Sequence, residues 1–178
     1  MSTEHSDGSA RRLCVHIAES LPPGCRGQIF VRPDSPLKIF TGQTASYDSF
    51  DRDVEFMAFY DFPTDSPIIV STPKDIEYES RFVVVDGAVV AGSQNKVGDS
   101  IRLSEADLQS WSLAGQVAKS GFQPDRVWVM DVCKTLNGEY RLLEIGAFSF
   151  SHLYGCNKLA VVEAVSSTAE SIWQQQNA

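Results

Sequence analysis

Cysteine, histidine and long apolar runs are all scarce in this sequence, and each scarcity removes a class of function. There are four cysteines, Cys14, Cys25, Cys133 and Cys156, and no pair has C-x-x-C spacing. That excludes the usual structural zinc frameworks. Met1 to Ala10 is polar and lacks the apolar core of a secretory signal. The thiols are therefore expected to be free and buried in a cytoplasmic chain. Cys156 stands four residues after His152, but nearness in sequence does not make a nucleophile and its base. No apolar run approaches the roughly 20 residues that span a bilayer. Neither a Walker A loop nor a G-x-G-x-x-G turn occurs, so any nucleotide site must use another geometry. Positive charge is also short: the net charge is −8, which disfavours the counterion-releasing face that nucleic acid requires. Neither a nucleic-acid nor a membrane partner is expected, while a local basic pocket for phosphate stays open.

What is present reads as an ordinary soluble domain. Hydrophobic residues make up 43% and charged residues 21% of 178 positions. This length supports one domain, or two small lobes. Residues 12–20 read as a short strand or helical turn. Gln28 to Arg32 reads as a strand stopped by Pro33, followed by a turn over 34–38 and the run Ile39-Phe40-Thr41-Gly42. Residues 49–60 carry a helical pattern, and Pro67 to Ser71 a short apolar strand. Asp86-Gly87 between Ser80–Val85 and Ala88–Ser93 is a strong hairpin signal, and Asn137-Gly138 between Arg126–Val132 and Tyr140–Ile145 is another. Ser104, with Asp107 three residues on, resembles a capping box. It predicts a helix that buries Leu108, Trp111, Ala114, Val117 and Ala118 and ends at Gly121. A last helix is expected over 157–174, with Val161, Val162, Val165, Ala169 and Ile172 as its apolar stripe. Hairpins interrupted by helices predict an α+β fold with largely antiparallel sheets.

Two acids stand out. Asp131 lies in the apolar strand Val127-Trp128-Val129-Met130-Asp131-Val132, and Glu144 in Leu142-Leu143-Glu144-Ile145. The Asn137-Gly138 turn pairs these strands. A carboxylate in such a run is costly unless a cation or a donor compensates. Two of them facing one cavity suit a hard divalent ion that also touches phosphate oxygens. A salt bridge to Arg81 or Arg141 answers the same need. Arg32 at a strand end, Lys38 in a turn-rich loop and Arg81 at the start of the long hairpin are cations of the kind that hold polyphosphate, or else solvated surface charges.

Several of these patches resemble one family. Phe30-Val31-Arg32-Pro33-Asp34-Ser35-Pro36-Leu37-Lys38-Ile39-Phe40-Thr41-Gly42 resembles the phosphate-loop region of a divergent ATP-grasp clade, the R-to-K clade, with Arg-Pro in place of Lys-Pro. Glu79 to Ser93 resembles that family's central hairpin. Asp131-Val132, Leu143-Glu144-Ile145-Gly146 and Tyr154-Gly155-Cys156-Asn157 resemble its metal-binding strands. The resemblance implies two small α+β lobes, residues 12–72 and 73–178, after a disordered tail over 1–11, with ATP between them. Arg32 and Lys38 would contact phosphates from the smaller lobe, and Arg81 from the larger. Ile69, Val70, Ser71 and Thr72 would present backbone groups to adenine, and Glu79 would join the nucleotide site. Asp131 and Glu144 would hold Mg2+. The implied activity is ATP-dependent carboxylate–amine ligation through an acyl phosphate, with Arg81 as its catalytic cation; the alternative is a non-catalytic nucleotide-binding module. Two departures from the pattern count. Position 146 is Gly146 where the family commonly has asparagine, which removes one oxygen ligand. The family's N-terminal substrate domain is also expected to be missing: either the substrate site is reduced, or a partner chain or homo-oligomer supplies it, or the polypeptide is a fragment. His152 and Tyr154 follow the metal strands and either face a substrate or pack structurally.

Overall fold

A computed structural model of the chain describes residues 27–34, 42–46 and 68–177. Five expectations therefore lie outside the described residues: the 1–11 tail, the segment 12–20, the loop that carries Lys38, the helix over 49–60, and the two cysteines Cys14 and Cys25. The chain divides into two units, Met1–Lys74 and Asp75–Ala178.

In the first unit, β1 (Gln28–Pro33) is the centre of a three-stranded antiparallel sheet, between β2 (Gln43–Ser46) and β3 (Ile68–Ser71). Ile29, Val31 and Ala45 are buried. Pro33 closes β1 opposite Ile68, the end of a strand being where a missing N–H is tolerated. Gly42 enters β2 under the Phe30 ring. A Cβ there would stand 2.7 Å from Phe30 Cζ, so the ring's position requires glycine.

The second unit is a five-stranded antiparallel sheet in the order β6-β5-β4-β7-β8. β4 (Ile76–Val85) and β5 (Ala88–Val97) form a hairpin longer than the sequence suggested. Asp86 (φ 47°) and Gly87 (φ 78°) close it, both in the left-handed region that a two-residue turn demands. β6 (Ser100–Ser104) follows a tight turn at Gly98-Asp99 and was not expected as a strand. β7 (Val127–Thr135) and β8 (Tyr140–Ala147) form the second anticipated hairpin, with Gly138 at φ 84°. The sheets confirm the α+β, largely antiparallel expectation.

Helix α1 (Leu108–Ala118) covers one face, against Phe82, Val84, Trp128, Met130 and Val132. Helix α2 (Lys158–Gln176) covers the other, with Val161 packed among Val83, Val85, Ala91, Val129 and Cys156. The start of α1 corrects the sequence reading. Ser104 ends β6, and Asp107 is the cap, accepting from the Gln109 and Ser110 amides at 3.0 and 3.1 Å. Leu108 consequently points outward at 83% exposure, and Ser110 takes a buried place. In α2 the cap is Asn157. Val162 and Ala169 are exposed, and Thr168, which the expected stripe did not include, is buried. Its hydroxyl donates to Asp86 at 2.8 Å, and Asp86 also pairs with Arg126 at 2.6 Å. That bond explains a polar residue at a buried helix position.

Candidate functional site

One transverse row of the large sheet collects the chemistry. Antiparallel pairing sets Ser93 on β5 opposite Arg81 on β4, Arg81 opposite Asp131 on β7, and Asp131 opposite Glu144 on β8. Partners in register share a face. Arg81 is two residues from Val83 and Asp131 two from Val129, so this is the face that α2 covers farther along. Val129 pairs with Gly146 in the next row, and beyond Arg81 come Lys96, Glu79, Cys133 and Arg141, again in register.

Arg81 is the hub. Its Nε donates to Asp131 Oδ1 at 2.8 Å and its Nη2 to Asp131 Oδ2 at 2.7 Å, a two-point fork. Nη1 donates to the His152 carbonyl at 3.2 Å, and the guanidinium carbon lies 5.1 Å from the centre of the Tyr154 ring. Burial works to lower the Arg81 pKa, but the Asp131 carboxylate, with Tyr154 and Glu144 nearby, more than offsets this and leaves it raised. Asp131 is only 6% exposed. Of the two salt bridges weighed for it, Arg81 is the partner; Arg141 instead pairs with Glu139 at 3.0 Å. The remaining sites on the Asp131 oxygens can still face a cation, because a carboxylate has about four acceptor positions.

Glu79 is ion-paired to Lys96 at 3.2 Å. Lys96 is a cation on the site face that the sequence reading passed over; the signal was its place two strands from Asp131, which only register reveals. Cys156 is buried, with its thiol directed at the Arg81 carbonyl and the Ser93 hydroxyl at 3.8 and 3.6 Å. Burial pushes this thiol up, as it does Cys133 beside Glu79. Both stay protonated packing groups, as expected of buried cysteines. His152 reaches the site through its backbone oxygen, and its ring lies 5.8 Å from that of Tyr154.

In the first unit, Arg32 on β1 lies opposite Ile69 on β3, Val31 opposite Val70, and Phe30 opposite Ser71. Among the described strands β3 lies at the edge of its sheet, where backbone groups lack a ladder partner. Thr72 accepts a hydrogen bond from the Lys74 ammonium. Beyond its place in the β1–β3 ladder, the Arg32 side chain has no hydrogen bond or ion pair among the described residues.

The donor set suits a magnesium ion carried by a nucleotide better than a resident metal. Among the described residues no group of three or more His, Cys, Asp or Glu side chains could hold a metal. Asp131 and Glu144 would supply two carboxylates, which matches an ion that keeps its water and shares phosphate oxygens. No described helix is long and apolar enough to cross a membrane.

Comparison with known proteins now adds the family. The model for the ATP-grasp domain of the R-to-K clade, family 2, matches residues 10–164. No curated protein matches the sequence. Among solved structures, D-cycloserine synthetase DcsG is similar at 13% identity and a TM-score of 0.54, over 90% of this chain and 61% of that one. N5-carboxyaminoimidazole synthase from Aspergillus clavatus, solved with ADP and its ribonucleotide, aligns at 13% identity and TM-score 0.54, over 78% and 37%. Macrocyclase MdnC from Microcystis aeruginosa MRC, bound to precursor peptide MdnA, aligns at 14% and 0.51, over 90% and 52%. This chain thus spans between 37% and 61% of the length of these three. At such identity the likeness speaks for the fold. With the family model covering most of its length, the chain belongs to the ATP-grasp domains of the R-to-K clade, family 2.

Proposed function

We propose that the chain binds ATP with magnesium on the Arg81 face of the large sheet, and that it is an ATP-dependent carboxylate–amine ligase or the catalytic half of one. The observation that carries this is the state of Arg81. A guanidinium has five N–H groups. Three are engaged, by Asp131 and the His152 carbonyl. Among the described residues, one N–H on each terminal nitrogen has no partner and is available to a phosphate oxygen. Arg81 is held in place before any ligand arrives, so it would bind phosphate with little reorganisation.

Asp131 and Glu144 would hold Mg2+, which when bound neutralises charge on the phosphate oxygens. Arg32 and Lys38 are proposed as further phosphate contacts, and Ile69, Val70 and Ser71 of β3, with Thr72 just past its end, as the adenine contact. Glu79 is proposed as the residue that keeps Lys96 in the site. In the reaction, a substrate carboxylate oxygen attacks the γ-phosphorus and ADP leaves; an amine then attacks the acyl carbon and phosphate leaves. Arg81 would stabilise charge on the transferring phosphoryl group. A partner chain or a second copy of this chain would contribute to binding the carboxylate and amine substrates.

A second reading, a nucleotide-binding module without ligase activity, draws on Gly146. It pairs with Val129 and brings no side-chain oxygen to the proposed metal row. Thermal unfolding of the full chain separates the readings. ATP plus magnesium at 100 times its dissociation constant adds about 2.7 kcal/mol, whereas no ATP-dependent shift would end both. ADP release with a panel of amino acids and peptides supports the ligase; a shift without release supports the module.

A further inference from the structure

Tyr154 has a backbone that its side chain does not favour. Among the described residues only two that are not glycine have positive φ, Asp86 and Tyr154. Asp86 is in a hairpin turn that requires it. Tyr154, at φ 47°, is the first central residue of a turn closed by the Cys156 amide on the Leu153 carbonyl at 2.9 Å. Glycine or asparagine is the ordinary occupant of that position. The neighbouring glycine does not relieve it. Gly155 approaches Ser93 so closely that a Cβ would stand 3.3 Å from the serine Cβ, so glycine is used there for packing and the aromatic residue takes the left-handed conformation. Strain of this kind persists where surrounding structure compensates, and it concentrates at functional sites.

The strained position puts the ring 5.1 Å from the Arg81 guanidinium carbon. Asp131 holds the Nε and Nη2 side of the guanidinium, the His152 carbonyl holds Nη1, and the guanidinium carbon lies over the Tyr154 ring. Asp131 and His152 fix where the guanidinium is. A ring beneath the guanidinium limits its tilt, and tilt decides where the two remaining N–H groups point.

We infer that Tyr154 is a positioning residue, which sets the plane of Arg81 for a nucleotide phosphate. This rests on the nucleotide reading above. ATP·Mg affinity of the full chain, measured by calorimetry, tests it. Tyr154→Phe keeps the ring and should bind within about twofold of the unsubstituted chain. Tyr154→Asn, which tolerates left-handed φ, should bind about fivefold or more weakly, the size of a cation–π contact, with no lower melting temperature. In an Arg81→Lys background, Tyr154→Asn should cost nothing further, because a lysine has no plane to orient. Tyr154→Gly provides the same comparison if the asparagine variant folds poorly. Affinity unchanged in Tyr154→Asn, or a loss that is fully additive with Arg81→Lys, overturns the inference. Failure of the unsubstituted chain to bind ATP·Mg instead overturns the nucleotide reading itself.

Discussion

Arg81 and Asp131 lie directly opposite each other on β4 and β7, and the guanidinium grips both carboxylate oxygens at 2.8 and 2.7 Å. Their side chains are 12% and 8% exposed, so neither charge has water to fall back on. Removing one partner should therefore cost far more than removing both. Arg81→Met alone is expected to destabilise the chain by about 3 kcal/mol, whereas Arg81→Met with Asp131→Leu should recover most of that loss. Urea unfolding measures both. ATP·Mg binding should be absent in the double variant although it folds, which separates the pair's structural contribution from its ligand role.

Asp131→Asn bears on the metal assignment. An asparagine can still accept from Arg81 but is a poor magnesium ligand. The ATP-dependent rise in melting temperature should then become nearly independent of magnesium. A variant whose ATP response keeps its full magnesium dependence would remove Asp131 from the metal site.

On the opposite face of the sheet, Gly92 lies against the Phe82 ring, which meets Trp111 edge-on with centroids 5.1 Å apart. A Cβ at position 92 would stand 2.4 Å from two Phe82 ring atoms and 3.0 Å from Trp111. Neither ring has room to move inside a packed core. Gly92→Ala should lower stability by about 1–3 kcal/mol, and Gly92→Ala with Phe82→Leu should regain part of it. A melting temperature unchanged by Gly92→Ala would show that the rings are not so confined.

How much of this was legible depended on whether the signal was local. The hairpins at Asp86-Gly87 and Asn137-Gly138 were readable because left-handed turns restrict residue choice. The turn at Gly98-Asp99 uses similar chemistry, yet β6 was missed: Ser100, Arg102 and Ser104 alternate with exposed Ile101 and Leu103 and mark no core face. Ser104 and Asp107 both qualify as caps, and strand pairing to Gln94 claims Ser104. In the site, Asp131 was conspicuous as a charge in an apolar strand. Its partner Arg81 is fixed by β4–β7 register across 50 residues of sequence, which no local pattern encodes. The left-handed backbone of Tyr154 runs against its residue type, so local propensity conceals it.

Asp107 should make stability depend on pH. Burial tends to raise its pKa, but hydrogen bonds from the Ser110 hydroxyl and amide and from the Tyr78 hydroxyl outweigh burial and leave it lowered. Burial, with bonds to Tyr140 and Asp107, pushes the Tyr78 hydroxyl up, so it stays a donor. A carboxylate whose folded pKa lies below its unfolded one contributes fully above the ordinary carboxylate range, and loses that contribution as pH falls through the folded value. Asp107→Ala should cost about 1 kcal/mol at neutral pH as a lost helix cap. The gap between the two urea midpoints should narrow below pH about 4. A gap that is constant from neutral to acid pH would assign the stabilisation to packing rather than to the charge.

Gly146 tests whether the proposed metal row lacks only a side-chain oxygen. It lies in register with Val129, one row from the Asp131–Glu144 pair, and a Cβ there would be 3.3 Å from Val129 Cγ2. Val129 is buried against α2, so an asparagine must move that methyl by a few tenths of an ångström and bring an amide beside apolar surface. Gly146→Asn should accordingly cost about 1 kcal/mol of stability in the absence of ligand. If ligand number limits magnesium binding, the same variant should reach half of its ATP-dependent stabilisation at a lower magnesium concentration. The two effects have opposite signs in one protein, so a general loosening of the sheet cannot produce both. A magnesium requirement that stays the same while stability falls would mean that residue 146 does not face the ion, and the metal row would then end at Glu144.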